Sequence, residues 1–565
     1  MNRGPGRIVF LALILAFFAV FLLWPILYVF REAFFPGGGG FSLAYFGQMF
    51  ADRTLRESLL TSLLLGAVVT ALSTLIALPL AICSVRYRFR GKGWLMGVVL
   101  LPMIMPPFVG AIGVRHVLAQ QGPLTLLCNK LGLVSGSVDW LGMGGFWAVA
   151  ALAGLHLYPI MYLNLVATLA NIDPELEEAA RSFGASGWGV FRRVTLPLLL
   201  PGYFAGASIV FIWAFTDLGT PLIFKYRQLV AYRIYTYTDS INVNPMGHAL
   251  VVLVIVMAGA LFVASRYLVG AGRGASLTRA TRARREISPN LPGACGIYLL
   301  LAAVTFLAII PHLSVIAGAL GESWSMTILP EHLGLGHFRE AAAHRYARFG
   351  LANSLLYSCG STALDVVLGA GLAYFLSRGR PRWGWLLDAL AMMPLAIPGV
   401  VIAFGYLGAF GIGPASWVAP FLVMSYTVRR LPYMVRACYA GLEQTSVSLE
   451  EASASLGASG WTTIRRITLP LVAANVVGGA ILAFSFAMLE VSDSLILAQK
   501  VADYPLTKAI YSVFSDPVKG EYIASAMGVL GMAILFVSLL AAGKVLGRRM
   551  GLLFRVLADV GGESP

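Results

Sequence analysis

The sequence predicts an all-α, polytopic membrane protein of about twelve transmembrane helices in two parallel six-helix repeats, and three observations predict it. Of 565 residues, 58% are hydrophobic and only 12% are charged, and the mean hydropathy is +0.80, too apolar for a soluble fold of this size. Apolar runs recur that are long enough to cross a hydrocarbon core, which takes roughly 20 residues of helix because lipid offers no partner to unpaired backbone groups. A 21-residue segment, 177–197, returns as 450–470.

The first run, residues 8–30, carries no charge. It is too long for a signal-peptide core and no small-residue cleavage pattern follows, so it reads as a retained helix. Comparable runs lie near 58–85, 94–117, 146–170, 201–223, 247–269, 293–320, 351–377, 385–408, 416–440, 473–498 and 523–545. Basic residues cluster between them: Arg3 and Arg7; Arg86, Arg88, Arg90 and Lys92; Arg279, Arg282, Arg284 and Arg285; Arg378, Arg380 and Arg382; Arg548 and Arg549. With twelve spans all of these fall on one side, which the positive-inside rule makes cytoplasmic, together with both termini. The formal charge of +15 is therefore read as topology, not as nucleic-acid binding. Cys83, Cys128, Cys295, Cys359 and Cys438 are scattered without CxxC spacing, so neither a metal site nor a disulfide framework is expected. No cofactor is expected either.

The two copies of the repeat segment are identical at 14 of 21 positions, at an offset of 273 residues. Upstream, Pro159 and Met161 match Pro432 and Met434; downstream, Phe211 and Ala214 match Phe484 and Ala487. Each half thus carries six spans, with the repeated segment between its fourth and fifth. Six is even, so both copies face the same way and the halves are parallel. The expected division is a first half at 1–270, a polar, Arg-rich cytoplasmic linker at 271–292, and a second half at 293–565.

Within the first copy, Asp173 followed by Pro174 reads as a helix N-cap and first turn, and Glu175, Glu177 and Glu178 load the positive end of that helix. Gly184 offers a permissive backbone for a sharp stop, Ser186 can cap a second short helix, and Pro197 marks the return to the membrane. The expected product is helix, glycine hinge, helix, on the cytoplasmic side. A pair of interfacial amphipathic helices would satisfy the amphipathicity alone. The duplicated pattern is more specific: Glu178, Ala179, Ala180, Gly184, Val194, Leu196 and Pro197, then Glu451, Ala452, Ser453, Gly457, Ile467, Leu469 and Pro470.

This pattern resembles the EAA loop of bacterial binding-protein-dependent ABC importer permeases of the type I, methionine-importer-like fold, with one loop at 171–200 and the other at 444–473. Ser453 departs from the family's alanine, one small residue for another. The resemblance implies a permease whose two loops seat on two copies of an ABC ATPase subunit, served by an external solute-binding protein docking near 31–57, 224–246, 321–350 and 499–522. It further implies residence in a bacterial inner membrane. The fused two-half form is similar to ferric-iron permeases; thiamine, phosphonate, sugar-phosphate and polyamine systems are the other substrate classes implied. No Gly-x-x-x-x-Gly-Lys-Ser/Thr stretch occurs, so ATP hydrolysis is expected of partners and not of this chain.

Charges inside spans face partners or aqueous paths. Asp217 and Glu490 occupy one repeat position, Asp493 follows three residues later, and Arg429 aligns with His156. The expectation is that Arg429 or Arg430 pairs with Glu490 or Asp493, either along the pathway or as a structural ion pair, with His156 and Asp217 a weaker counterpart. Pro102, Pro106 and Pro107, and likewise Pro394 and Pro398, should break the third and ninth spans. An ion-coupled secondary carrier could also use such carboxylates, but has no need of two projecting loops. A membrane enzyme is disfavoured because the seven histidines are dispersed.

Overall fold

The computed structural model describes residues 5–103, 106–142, 145–271, 286–324, 326–411 and 415–546. Most of the expected linker at 271–292, and Arg3, Arg548 and Arg549, lie outside the described residues. The long helices are α1 (Ile8–Phe34), α2 (Arg53–Arg86), α3 (Lys92–Met103), α4 (Pro107–Val117), α5 (Phe146–Asn171), α6 (Leu196–Phe215), α7 (Met246–Ala271), α8 (Leu291–Leu320), α9 (Arg345–Gly379), α10 (Gly384–Ala396), α11 (Gly399–Phe410), α12 (Ala415–Gln444), α13 (Leu469–Met488) and α14 (Gly520–Leu546). A two-stranded antiparallel ribbon, Gly321–Ser323 with His332–Leu333, interrupts an otherwise helical chain.

Among the described residues, nine helices are long and apolar enough to cross a membrane, and two bent pairs raise the number to eleven. The twelfth expected span is α12, which Arg429 and Arg430 at its centre make too polar to be counted by composition. The bent pairs are the two proline-rich spans: α3 and α4 meet at 87°, α10 and α11 at 102°.

Proline frees a carbonyl one turn behind it, and inside lipid that carbonyl needs a new donor. Pro25 has no N–H for the carbonyl of Phe21; α1 opens into a π-turn at Ala19–Leu23, and the Tyr406 hydroxyl donates to Phe21 O at 2.7 Å. Pro106 leaves the carbonyl of Pro102 in the same position, and His156 Nδ1 lies 2.9 Å from it. Side chains on neighbouring helices therefore hold the breaks open.

The chain forms two compact units. Among the described residues, one gathers those up to Ala51, Ile234–Ile255 and those from Phe338 onward; the other gathers Asp52–Arg233 and those of Val256–His337. In the second unit α2, α5 and α6 form a three-helix core, and in the first α9, α12 and α13 form its repeat-equivalent. Gly206 lies against Met161 in one core and Gly479 against Met434 in the other, positions related by the 273-residue offset.

Each core also takes the first span of the opposite sequence half. In the second unit α8 packs on α4, where a Cβ on Gly113 would come within 2.6 Å of the Val315 nitrogen. In the first unit α1 packs on α11, where a Cβ on Gly405 would come within 3.0 Å of the Pro25 carbonyl oxygen. Only glycine allows backbones that close. Phe18, Leu22 and Ile14 of α1 continue the seam, buried with Leu372, Leu387 and Leu431.

Candidate functional site

Local chemistry builds the first repeated loop. Asp173 caps the helix Pro174–Ser182, its Oδ1 accepting from the Glu175 N–H at 3.0 Å. The helix ends in a Schellman motif: Gly184 N–H donates to Arg181 O at 2.9 Å and Ala185 N–H to Ala180 O at 3.1 Å, with Gly184 left-handed at φ +82°. Ser186 caps the next turn, Gly187–Val190, by accepting from Gly189 N–H. A π-turn at Phe191–Thr195 then leads into α6, with Leu196 N–H donating to Phe191 O. It widens the backbone just ahead of Pro197, which cannot donate a helical hydrogen bond.

The second copy repeats each step. Ser446 caps Val447–Ser455, Gly457 is left-handed at φ +80°, Ala458 N–H donates to Ser453 O, Ser459 caps Gly460–Thr463, and a π-turn at Ile464–Thr468 enters α13. Ser453, the departure from the pattern, is buried and lies 2.9 Å from the hydroxyl of Thr463. Those two residues replace Ala180 and Val190 of the first loop, so a hydrogen bond stands at positions where the other loop has two apolar side chains.

One residue in each loop ties it to the membrane helices, and it is not in the family pattern. Glu177 is 2% exposed. Its Oε1 accepts from Arg86 at 2.6 Å, at the end of α2, and from the Thr195 hydroxyl at 2.7 Å. In the other loop Glu450 Oε1 accepts from Arg378 Nε, at the end of α9, and from the Thr468 hydroxyl, both at 3.1 Å. The sequence held a signal for this, because Glu177, Thr195 and their repeats are all identical, but both arginines had been absorbed by the topology argument.

Apart from buried Ser453, the pattern residues are exposed or half-buried. Glu178, Ala179, Gly184 and Pro197 are exposed, as are Glu451, Ala452, Gly457, Leu469 and Pro470, while Ala180 and Leu196 are half-buried. Large apolar side chains flank each glycine: Phe183 is 90% and Trp188 70% exposed, and their repeat equivalents Leu456 and Trp461 are 88% and 72% exposed. No side chain lies within 4 Å of a Cβ at either glycine. Each loop thus offers an apolar, open knob on a hydrogen-bonded base.

Asp217 and Glu490 sit at helix breaks and not within continuous helix, contrary to the expectation from hydropathy, whereas Arg429 and Arg430 lie within α12. Asp217 follows the end of α6, and its Oδ1 accepts from Gly219 N–H at 3.1 Å, ahead of the short helix Gly219–Ile223. Glu490 follows the end of α13 and accepts from Ser492 N–H at 3.2 Å, ahead of Ser492–Leu497. Their shared repeat position reflects this shared backbone task. Glu490 also pairs with both Arg429 and Arg430, and Arg429 reaches Asp493 at 3.5 Å. Ser425 donates to Asp493 at 2.8 Å, and Arg430 donates to the freed carbonyl of Phe486 at 2.9 Å. His156 and Asp217 are not brought together as that counterpart pair: the partner of His156 is the Pro102 carbonyl. Arg429 keeps part of the same duty, its guanidinium lying against Gly399 at the α10–α11 bend. Among the described residues, no group of three or more His, Cys, Asp or Glu is placed to hold a metal ion.

Comparison with known proteins finds one family twice along the chain. The family model described as binding-protein-dependent transport system inner membrane component matches residues 73–271 and again 365–552. A ferric transport system permease protein of Actinobacillus pleuropneumoniae is 26% identical over 566 residues, covering 97% of this chain and 79% of its own length. The molybdenum transport system permease protein of Escherichia coli strain K12 is 33% identical over 170 residues, 29% of this chain and 70% of its own. A spermidine/putrescine transport system permease protein of Haemophilus influenzae is 26% identical over 234 residues, 40% of this chain and 82% of its own.

Proposed function

Because this chain belongs to the family of binding-protein-dependent transport system inner membrane components, we propose that it is the permease of an ATP-driven importer with both coupling loops on one polypeptide. The observation that carries the proposal is the matched pair of anchored loops. Each presents an exposed apolar knob, Phe183 with Trp188 or Leu456 with Trp461. Each knob is fastened through a glutamate, buried Glu177 or half-buried Glu450, to the end of a long helix, Arg86 of α2 or Arg378 of α9. A soluble partner gripping the knob pulls on α2 and α6, or on α9 and α13, as a lever pulls on its base. The partner is an ABC ATPase subunit, present twice because the loops are alike, and it supplies the ATP hydrolysis.

The loops and the arginine-rich turns then face the cytoplasm, with both termini on that side. Solute arrives on the other side from an external binding protein that docks on the outer loops near 31–57, 224–246, 321–350 and 499–522. Ferric iron is the proposed cargo, because a relative that spans nearly the whole chain is a ferric permease, whereas the molybdenum and polyamine permeases match less than half of it. Iron is here substrate in transit, handed over by the binding protein.

Co-purification tests the docking. With the detergent-solubilised chain as bait, Phe183→Ser with Trp188→Ser should halve the ATPase retained, Leu456→Ser with Trp461→Ser should likewise halve it, and the four together should abolish it. Full retention with all four changes would overturn the assignment of the loops.

A further inference from the structure

We propose that Asp365 is a positioning residue for transport, a second carboxylate station that receives Arg430 when the Arg430–Glu490 pair opens; this rests on the permease reading above. Asp365 stands on α9, is 0% exposed, and neither of its oxygens has a hydrogen-bond partner among the described residues. Arg430 stands on the neighbouring α12. Its Nη2 serves Glu490 and the Phe486 carbonyl, while its Nε is buried without a partner among the described residues. Two complementary groups are thus left unsatisfied in one core.

They also share a level. Gly369, one turn beyond Asp365, packs against Met434, one turn beyond Arg430. At the cytoplasmic ends Ser377 reaches Glu443 and Arg378 reaches Thr445, so α9 and α12 run parallel through this contact.

Charge balance favours a handover. Two guanidiniums, Arg429 and Arg430, face three carboxylates, Glu490, Asp493 and Asp365. In the described state both guanidiniums are on Glu490 and Asp365 has neither. An unpaired buried carboxylate is costly, and a planar guanidinium can serve a second carboxylate along its Nε edge. When Arg430 turns to Asp365, Arg429 remains on Glu490 and Asp493, so no charge is stranded. The move also joins the right elements. Asp365 lies on the helix whose end holds loop residue Glu450, and Arg430 lies on the helix that leads into that loop. A two-state contact of this kind is how a small displacement at the loop is read at the break.

The test uses the whole transporter, chain with ATPase and binding protein, in sealed vesicles. The readout is ATP hydrolysed per solute imported, measured on the assembled fraction. ATP-driven uptake by the unaltered chain is the control, and its absence would remove the permease reading and not the handover as such. Asp365→Asn keeps shape and removes charge; it should raise the ratio at least tenfold, and Asp365→Glu should return it to within threefold. A ratio equal to that of the unaltered chain, whether assembly is full or reduced, overturns the proposal. If Asn does not assemble, Asp365→Ser supplies the same neutral test with the same two outcomes.

Discussion

Ser453 and Thr463 answer each other across the second loop as Ala180 and Val190 do across the first. Removing one hydroxyl strands the other in a buried site, which costs about 1–3 kcal/mol. Ser453→Ala alone should therefore lower the thermal midpoint of the chain in detergent, and Thr463→Val added to it should restore most of the loss. Glu177 belongs to the same scale. It is buried and charge-paired with Arg86, which keeps some solvent contact, so Glu177→Gln should cost about 2–3 kcal/mol, at or below the low end of the range for breaking a buried pair. The same thermal melt would register it, and an unchanged midpoint would mean that the anchor carries no load. The two kinds of residue were unequally legible. Asp173, Gly184 and Ser186 act on backbone within three residues of themselves, so their types and spacing gave their roles away. Glu177 acts on Arg86, 91 positions earlier, and spacing along a chain says nothing about such a partner.

At the scale of elements, the glycine hinge and the proline breaks are matters of backbone supply and demand. Gly184 is left-handed and faces open space, so a side chain there meets strain and not crowding. Gly184→Asn should preserve the loop, because asparagine tolerates that conformation, whereas Gly184→Val should disrupt it. ATPase co-purification would separate the cases: equal losses for Asn and Val would show that the partner approaches too closely for any side chain. The break in α1 makes a paired prediction. Tyr406→Phe leaves the Phe21 carbonyl without its donor and should cost about 1 kcal/mol. Pro25→Ala restores a backbone N–H one turn away, so the tyrosine change should be close to neutral in that background, as judged by thermal unfolding. Proline spacing made the breaks at Pro102–Pro107 and Pro394–Pro398 readable from sequence. What steadies them was not readable. His156 and Asp217 suggested a pair because they align with Arg429 and Glu490, yet alignment by repeat transmits the backbone task, and here one residue holds a proline-freed carbonyl while the other holds a short helix.

For the molecule as a whole, the repeat marked the two halves, and apolar runs marked all twelve helices, of which eleven are apolar enough to be counted by composition among the described residues. The twelfth, α12, carries the arginine pair that hydropathy penalises and that Glu490 pairs with. The regrouping of α1 and α8, each packed with the core of the other sequence half, left no trace in composition, since an apolar helix looks the same whichever neighbour it covers. Gly113 and Gly405, where the backbones approach, and Gly371 and Gly408, which lie against Phe10 and Tyr28 of α1, are its sequence marks, and they become informative once the contact is known. The central claim is that ATP bound by partner subunits drives solute inward through this chain by way of the two loops. The direct measurement is uptake of ferric iron, delivered by its binding protein, into sealed vesicles carrying the chain and its ATPase, with and without ATP and with Gly184→Asp plus Gly457→Asp. The account predicts uptake that requires ATP, survives collapse of ion gradients, and is lost together with ATPase retention in the double variant. Uptake that persists without ATP and vanishes with the proton or sodium gradient would contradict it.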